Sequence, residues 1–298
     1  MDKADYVILP PNELPPAMVG MLHSYGHTAW PVAVATIFDL ARRGILVIEE
    51  IPKPWFRLLP PHEFIIGRGT SPHPNLSAHE LGLLKLLFES DDGKIIDSIN
   101  FLELANIVST PGWSKFMKPL EQEMETPGLL RLPQHRKKWQ QAVITGLTLF
   151  SFILGLAGVF LLRSNFWVGL GLFMSPFVMI AILSNLSLLS DKGTQERQDW
   201  QVFYDDLLAA ARRQVPLLNP DYLNELLPYV AAYNLLGKWA RLYKQQDGIH
   251  APNWFHPLSE VETLNSFADM LNQIGFAGRT WAQKPPSFTI GRKPTHIG

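Results

Sequence analysis

Two long apolar segments dominate the sequence: residues 142–162 read AVITGLTLFSFILGLAGVFLL, and residues 166–189 read FWVGLGLFMSPFVMIAILSNLSLL. Neither segment contains a charged residue, and only the short loop Arg163–Asn165 separates them. Because a helix rises about 1.5 Å per residue, each segment is long enough to cross about 30 Å of hydrocarbon. The sequence therefore predicts a mainly α-helical integral membrane protein with a two-span transmembrane hairpin over residues 141–190.

Basic residues near the ends of the two segments predict the orientation of the hairpin. The only basic residue of the loop is Arg163, whereas the basic residues of the flanks are Arg131, Arg136, Lys137, Lys138, Lys192 and Arg197. Because positive charge concentrates on the cytoplasmic side of membranes, we expect both termini in the cytoplasm. Residues 1–16 lack the basic and apolar pattern of a signal peptide, which favours the same orientation. The expected location is a bacterial inner membrane or another internal membrane.

Small residues predict where the two helices of the hairpin touch. Ser151 and Gly155 lie four positions apart in the first segment, and Gly171 and Ser175 do so in the second. Small side chains let helix backbones approach closely in lipid, where apolar burial gives no driving force. We therefore expect these four residues to form the seam of the hairpin.

Composition limits the chemistry that the chain can perform. The 298 residues include 26 Lys plus Arg, 27 Asp plus Glu and no cysteine. The absence of cysteine excludes disulfides, thiolate metal sites and cysteine nucleophiles. The chain also has no GxSxG, Walker A or GxGxxG motif, and Gly67-Arg68-Gly69-Thr70 is too short to be one. No catalytic residue, cofactor site or metal site is predicted.

A helix followed by a strand pair is predicted before the hairpin. Apolar residues recur with a period of about 3.6 residues from Pro31 to Ala41, and Gly44 stands where a helix ends in a left-handed residue. Short β-prone runs follow over residues 45–50 and 55–59, and a Pro-Lys-Pro turn joins them.

The same pattern recurs further along the chain. Ser77 and Glu80 form a capping box before a second apolar stripe, and a further helix is expected to end near Gly128. The sequence therefore predicts two winged-helix-like α+β units within residues 1–140, at about 15–62 and 75–135.

Charge argues against nucleic-acid binding by these units. Residues 1–141 contain 14 Lys plus Arg and 16 Asp plus Glu. Because phosphate contacts dominate nucleic-acid affinity, a region with net negative charge is poorly suited to it. We therefore expect no nucleic-acid partner and interpret the units as sites of protein contact.

Helices are predicted after the hairpin. Single apolar stripes within residues 191–246 need a partner surface, and we expect these helices to pack on the N-terminal region. Lys238, Arg241 and Lys244 lie on the other face of one of them, where they are interpreted as solvated or as contacts with anionic lipid. Residues 247–298 are expected to form a Pro-rich linker, one helix and a mobile basic tail.

Several short motifs resemble the DUF2207 family of predicted membrane proteins, which includes the YciQ-like bacterial proteins. The motifs are IFDLARRGIL at 37–46, Glu49-Glu50, the helix at 77–88, Gly193, Glu196, Trp200, Phe203, Leu227-Pro228-Tyr229 and Lys238-Trp239. The resemblance implies a membrane location and structural or interaction roles for these residues. It implies no catalytic residue, and typical members carry an extracytoplasmic domain before the part that this chain resembles.

Three functions are compatible with the sequence. The leading hypothesis is a membrane-anchored interaction or scaffold protein, whose cytoplasmic platform docks other membrane proteins or a second copy of itself beside the lipid bilayer. The alternatives are a membrane-tethered enzyme, most plausibly a hydrolase, and a membrane-tethered winged-helix DNA-binding regulator. A cleft with two or more titratable groups sharing a proton would favour the enzyme, and a convex basic face would favour the regulator.

Overall fold

The structure is a computed structural model of the 298-residue chain. The residues that the structure describes are 8–27, 30–52, 62–71, 75–89, 95–101, 110–131, 187–212, 222–245 and 249–282, together with six residues between positions 146 and 158.

The chain divides into two compact units. Met1–Met21, Thr28–Leu120 and Asp199–Gly298 form the first unit, and Leu22–His27 and Glu121–Gln198 form the second. The first unit therefore combines residues from before and after the two apolar segments.

Helices account for most of the described residues. They are α1 (Pro16–His23), α2 (Trp30–Arg42), α3 (Ala78–Phe88), α4 (Ser114–Glu125), α5 (Asp191–Ala211), α6 (Tyr222–Ala232), α7 (Leu236–Gln245) and α8 (Thr263–Ala282). Short 3₁₀ turns at Pro111–Trp113 and Glu260–Glu262 precede α4 and α8. Within the first unit α2 packs against α6, and α7 packs against α8.

A mixed four-stranded sheet lies in the first unit. Its strands are β1 (Leu46–Ile51), β2 (Glu63–Arg68), β3 (Ser98–Asn100) and β4 (Phe255–His256). The order across the sheet is β3-β2-β1-β4; β1 pairs antiparallel with β2 and parallel with β4, and β2 pairs antiparallel with β3. The two outer strands are short and come from sequence positions far apart.

One face of the sheet forms part of the core. Side chains alternate across a strand, and the buried residues Leu46, Ile48, Phe64 and Ile66 follow this alternation. Aromatic rings continue the core beyond the strands; they include Phe38, Trp254, Phe255 and Phe267, with Phe38 and Trp254 centred 5.3 Å apart. Residues from both ends of the chain therefore share this core.

The predicted end of α2 is confirmed. Gly44 has a φ of +74°, the Gly44 amide donates to Ala41 O, and the Ile45 amide donates to Leu40 O. This pair of bonds is the Schellman arrangement, which satisfies carbonyls that the last helical turn leaves free. It turns the chain directly from α2 into β1.

The second unit has its own backbone contacts. The amide of Leu188 donates to Tyr25 O over 2.8 Å, and Leu130 forms an isolated antiparallel bridge with Leu189. The guanidinium of Arg197 lies 4.1 Å from the centre of the Tyr25 ring. These contacts join residues 22–27 to the segments on either side of the apolar region.

The predicted fold class is wrong. Among the described helices there is none that is both long and apolar enough to cross a membrane, and no two-span hairpin is seen there. The described residues of the first unit instead combine helices with one sheet, to which 46–51, 63–68, 98–100 and 255–256 contribute, rather than two separate winged-helix-like units. The fold class depends on pairing between strands that lie far apart in the sequence, and local hydrophobic periodicity carries no information on such pairing. Residues 142–186, apart from six of them, lie outside the described residues.

Candidate functional site

An open groove runs along one face of α3. This α3 groove has a volume of about 380 Å³ and is lined by Ile45, Arg68, Leu81, Leu84, Lys85, Phe88, Glu89 and Ile95. The lining residues of α3 recur at helical spacing, so they share one face of that helix. Arg68 ends β2, and its alternation places it beyond Phe64 and Ile66 on the same face.

The start of α3 is fixed by its sequence. The Ser77 side chain accepts a hydrogen bond from the Glu80 amide, and the Glu80 side chain accepts one from the Ser77 amide. This reciprocal pair is the predicted capping box, which is therefore confirmed. It fixes where α3 begins.

The α3 groove combines apolar and cationic surface. Leu81 is 46% exposed and Ile95 is 72% exposed, and Ile96 beside it is 40% exposed. The guanidinium of Arg68 lies 4.8 Å from the centre of the Phe88 ring, within the range of a cation–π contact. Exposed apolar side chains that cluster in one place mark surfaces for partners or membranes.

A second candidate is a cluster of four titratable side chains, here called the His62 cluster: Glu50, His62, Asp269 and Lys244. His62 Nδ1 lies 2.5 Å from Glu50 Oε1, and Nε2 lies 3.5 Å from Asp269 Oδ2. Lys244 Nζ lies 2.5 Å from Asp269 Oδ1. The imidazole of His62 therefore lies between the carboxyl groups of Glu50 and Asp269.

Glu50 is the most enclosed member of the His62 cluster. Its other oxygen, Oε2, accepts hydrogen bonds from Ser266 Oγ at 2.7 Å and from the Leu258 amide at 3.1 Å. Burial acts to raise the pKa of Glu50, but the hydrogen bonds from Ser266, Leu258 and His62 outweigh it and lower the pKa. The carboxylate is therefore held ionised as an acceptor rather than kept ready to take a proton.

The His62 cluster lacks the geometry of a hydrolase triad. In such a triad, the histidine accepts the proton of the nucleophilic hydroxyl. Ser266 instead donates to Glu50, and the ring nitrogens of His62 face carboxylates. The cluster joins β1, α7 and α8, and none of its four residues lines the α3 groove. Its contacts therefore stabilise the packing of β1, α7 and α8.

Arg42 and Arg43 are engaged in ion pairs. Arg42 contacts Asp39 and Glu225, with Nη1 2.8 Å from Glu225 Oε2. Arg43 contacts Asp39 and Glu80. The adjacent arginines of the IFDLARRGIL motif therefore hold helices of the first unit together.

Five of the predicted interaction residues lie in the first unit. Trp200 and Phe203 are buried on α5, and the Trp200 ring stacks on Tyr229 with centres 5.6 Å apart. Pro228 is buried inside α6, and buried Trp239 donates from Nε1 to Leu207 O over 3.2 Å. Trp200, Phe203, Pro228 and Trp239 are therefore buried in the first unit, and Tyr229 is partly buried there.

Gly193 and Glu196 lie at the start of α5, in the second unit. A side chain at Gly193 would place its Cβ 2.1 Å from Leu129 O, so only glycine allows this approach of two backbones. Glu196 is half-buried one turn further on. The other four predicted residues, Ser151, Gly155, Gly171 and Ser175, lie outside the described residues.

The sequence contained signals for the site that its interpretation missed. Glu50 occupies the position of β1 that continues the buried alternation of Leu46 and Ile48, which makes it a core-facing carboxylate. In the sequence, Arg68 stands out only as part of the short stretch Gly67-Arg68-Gly69-Thr70. The described residues hold no group of three or more side chains suited to bind a metal ion.

A family model for the C-terminal domain of a predicted membrane protein, DUF2207, matches residues 3–243. No curated protein and no solved structure matches the chain. The match covers most of the sequence and includes α3, the sheet strands β1 to β3 and the helices that carry Trp200 and Trp239. The chain therefore belongs to the DUF2207 family of predicted membrane proteins, of which it contains the C-terminal domain.

Proposed function

We propose that the protein is an interaction protein that acts at a membrane, and that the α3 groove is its contact surface. One observation carries the proposal: the exposed side chains of Leu81 and Ile95 share a groove with the cations Arg68 and Lys85. Apolar surface flanked by Lys and Arg is the composition of segments that bind membrane interfaces. The description of the family as a predicted membrane protein supports the same setting.

The enzyme alternative has weaker support. The His62 cluster brings four titratable side chains together, and their oxygens and nitrogens contact each other, Ser266 and Leu258. An active site instead needs a reactive group that is free to meet a substrate. A DNA-binding regulator is less favoured still, because the two cations of the α3 groove are too few for the many phosphate contacts that DNA binding requires.

Other parts of the expected function stay predictions. They include docking of membrane proteins or of a second copy of the chain, as a scaffold would require. They also include a bacterial inner membrane or another internal membrane as the location, with both termini in the cytoplasm.

Site-specific photocrosslinking tests the proposal. A photoreactive amino acid replaces Ile95 in the α3 groove, and a second version of the full chain carries it at Val202. Val202 is a suitable control because it is 66% exposed and lies near Asp199, Asp205 and Asp206 rather than near cations. Both versions are irradiated in membranes of the expressing cell.

We expect the Ile95 version to crosslink to a membrane component, either lipid or protein, and the Val202 version to crosslink much less. Equal crosslinking at the two positions would show that the α3 groove is not a distinct contact surface. No crosslink to any membrane component from Ile95 would contradict the proposed function itself.

A further inference from the structure

The two cations of the α3 groove are available to a ligand. Among the described residues, no carboxylate oxygen lies within ion-pair distance of Arg68 or Lys85, and both side chains are exposed. Glu89 is the one carboxylate among the described lining residues, so these residues carry two cations and one anion and a net charge of +1. The contact with Phe88 holds the Arg68 guanidinium over the groove wall. A ligand with negative charge would therefore complement one part of the groove.

The rest of the α3 groove is apolar. Leu81, Leu84 and Ile95 line it, and buried Ile45 closes its floor. Water is removed from Leu81 and Ile95 only when something apolar covers them. The complementary ligand therefore has an apolar part joined to an anionic part.

The size of the α3 groove distinguishes between two possible ligands, a lipid acyl chain and a protein helix. A helix with side chains is about 10–12 Å across and binds through anchors over several turns. The volume of about 380 Å³ instead lies near the lower end of the range of about 300–1,000 Å³ that is usual for small-molecule sites. The groove therefore fits an extended apolar chain better than it fits a protein helix.

We propose that the α3 groove binds one anionic phospholipid, with an acyl chain along Leu81 and Ile95 and the phosphate near Arg68 and Lys85. This inference rests on the proposed function, because it names the membrane component that the groove contacts. It also predicts selectivity. A zwitterionic phospholipid offers the same acyl chain but no net negative charge, so it binds more weakly.

The test measures binding of short-chain lipids to the purified full chain in solution, where each lipid is kept below its micelle concentration. The probes are short-chain phosphatidylglycerol, short-chain phosphatidylcholine and inorganic phosphate. We expect phosphatidylglycerol to saturate at one molecule per chain, phosphatidylcholine to bind more weakly, and phosphate alone not to compete. Equal binding of the two lipids would overturn the inference, as would competition by phosphate alone.

Variants assign the binding to the groove. A Lys or Arg near an anionic lipid surface contributes about a fivefold change in affinity, so Arg68→Ala with Lys85→Ala should weaken binding of phosphatidylglycerol roughly twenty-five-fold. Lys238→Ala with Arg241→Ala is the matched control, because it removes two exposed cations from α7. If the control pair weakens binding equally, the effect is general electrostatics and the inference is wrong.

A second variant separates the apolar from the charged contribution. Leu81→Ser with Ile95→Ser changes two exposed side chains, so we expect the chain to remain folded. It should weaken binding of both lipids by a similar factor. Unchanged lipid binding by this variant would overturn the inference. If Ile95 crosslinks in membranes only to protein, the lipid is the wrong ligand while the proposed function stands.

Discussion

The carboxylate of Glu80 joins Arg43 to the start of α3. Its Oε1 contacts the Arg43 guanidinium, while Oε2 accepts a hydrogen bond of 2.8 Å from the Ser77 amide. The end of α2 and the start of α3 are therefore fixed by one side chain, although β1 and β2 lie between them in the sequence. Two motifs that resemble the family, IFDLARRGIL and the Ser77 helix, meet at this carboxylate.

Replacement of Glu80 by Ala should destabilise the protein. The variant loses half of the capping box and leaves Arg43 with Asp39 as its remaining partner, which together should cost about 2 kcal/mol. Urea unfolding of the full chain measures this free energy. Glu89→Ala is the control, because Glu89 is exposed at the other end of α3. An equal effect of both changes would mean that neither the capping box nor the Arg43 contact stabilises the protein.

Features set by neighbouring residues were predictable from the sequence. The capping box at Ser77 and the left-handed glycine at Gly44 each depend on a few consecutive residues, and both are confirmed. The strand at residues 45–50 was close to the observed β1 for the same reason. Local hydrogen bonding decides each of these features, and the chain nearby contains all the partners.

Features set by distant partners were not predictable. The sequence predicts the second strand at 55–59, but the partner of β1 is β2 at Glu63–Arg68, and residues 55–59 lie outside the described residues. The two residues of β4 are extended because they pair with the edge of β1 that β2 leaves free. Likewise, His62 meets Asp269 only after α8 packs beside the sheet. The length of the two apolar segments predicts the wrong fold class because it carries no information on such pairings.

Gly82→Ala should destabilise α3, although alanine is usually the better helix former. The added Cβ would lie 2.1 Å from Lys115 O, a contact that the backbone must move to relieve. Alanine gains about 1 kcal/mol from helix propensity, and overpacking of this kind costs about 1–3 kcal/mol. We therefore expect a net loss of stability in thermal unfolding. Lys85→Ala, on the exposed face of the same helix, is the control and should change the melting temperature little.

His23 should make stability depend on pH. Burial, followed by the positive charge of Arg197, lowers the pKa of His23 to about 4, from about 6.5 in an unfolded chain. Between these values the unfolded chain binds a proton that the folded protein does not. The contribution of His23 to stability is therefore fully present above about pH 6.5 and is lost as the pH drops towards 4. The free energy of unfolding falls by up to about 3 kcal/mol over this range.

His23→Gln isolates this contribution. The variant cannot take up the proton, so its free energy of unfolding should fall less steeply than that of the wild type between pH 6.5 and 4. Urea unfolding at a series of pH values measures the difference, and His250→Gln at an exposed position is the control. Parallel pH profiles for the wild type and His23→Gln would show that His23 titrates equally in the folded and unfolded states.

Trp200→Ala should loosen helices on both sides of the apolar segments. Trp200 is 1% exposed, and its ring contacts Phe203 and Tyr229 with centres 5.4 and 5.6 Å away. Loss of a large buried aromatic side chain costs about 3–5 kcal/mol. Because Tyr229 lies on α6, and α6 packs against α2, the cavity should weaken α2 as well as α5 and α6.

Hydrogen exchange on the full chain decides how far this effect spreads. In Trp200→Ala we expect faster exchange in α2, α5 and α6, whereas Val202→Ala, at an exposed position of the same helix, should leave all three protected. Tyr233 directly follows α6, and its hydroxyl donates to Trp200 O over 3.1 Å, which is a second link to α5 that the variant retains. The expected opening is therefore partial in α6. If α2 keeps its full protection while α5 and α6 open, the regions before and after the apolar segments unfold independently, and their shared core does not couple them.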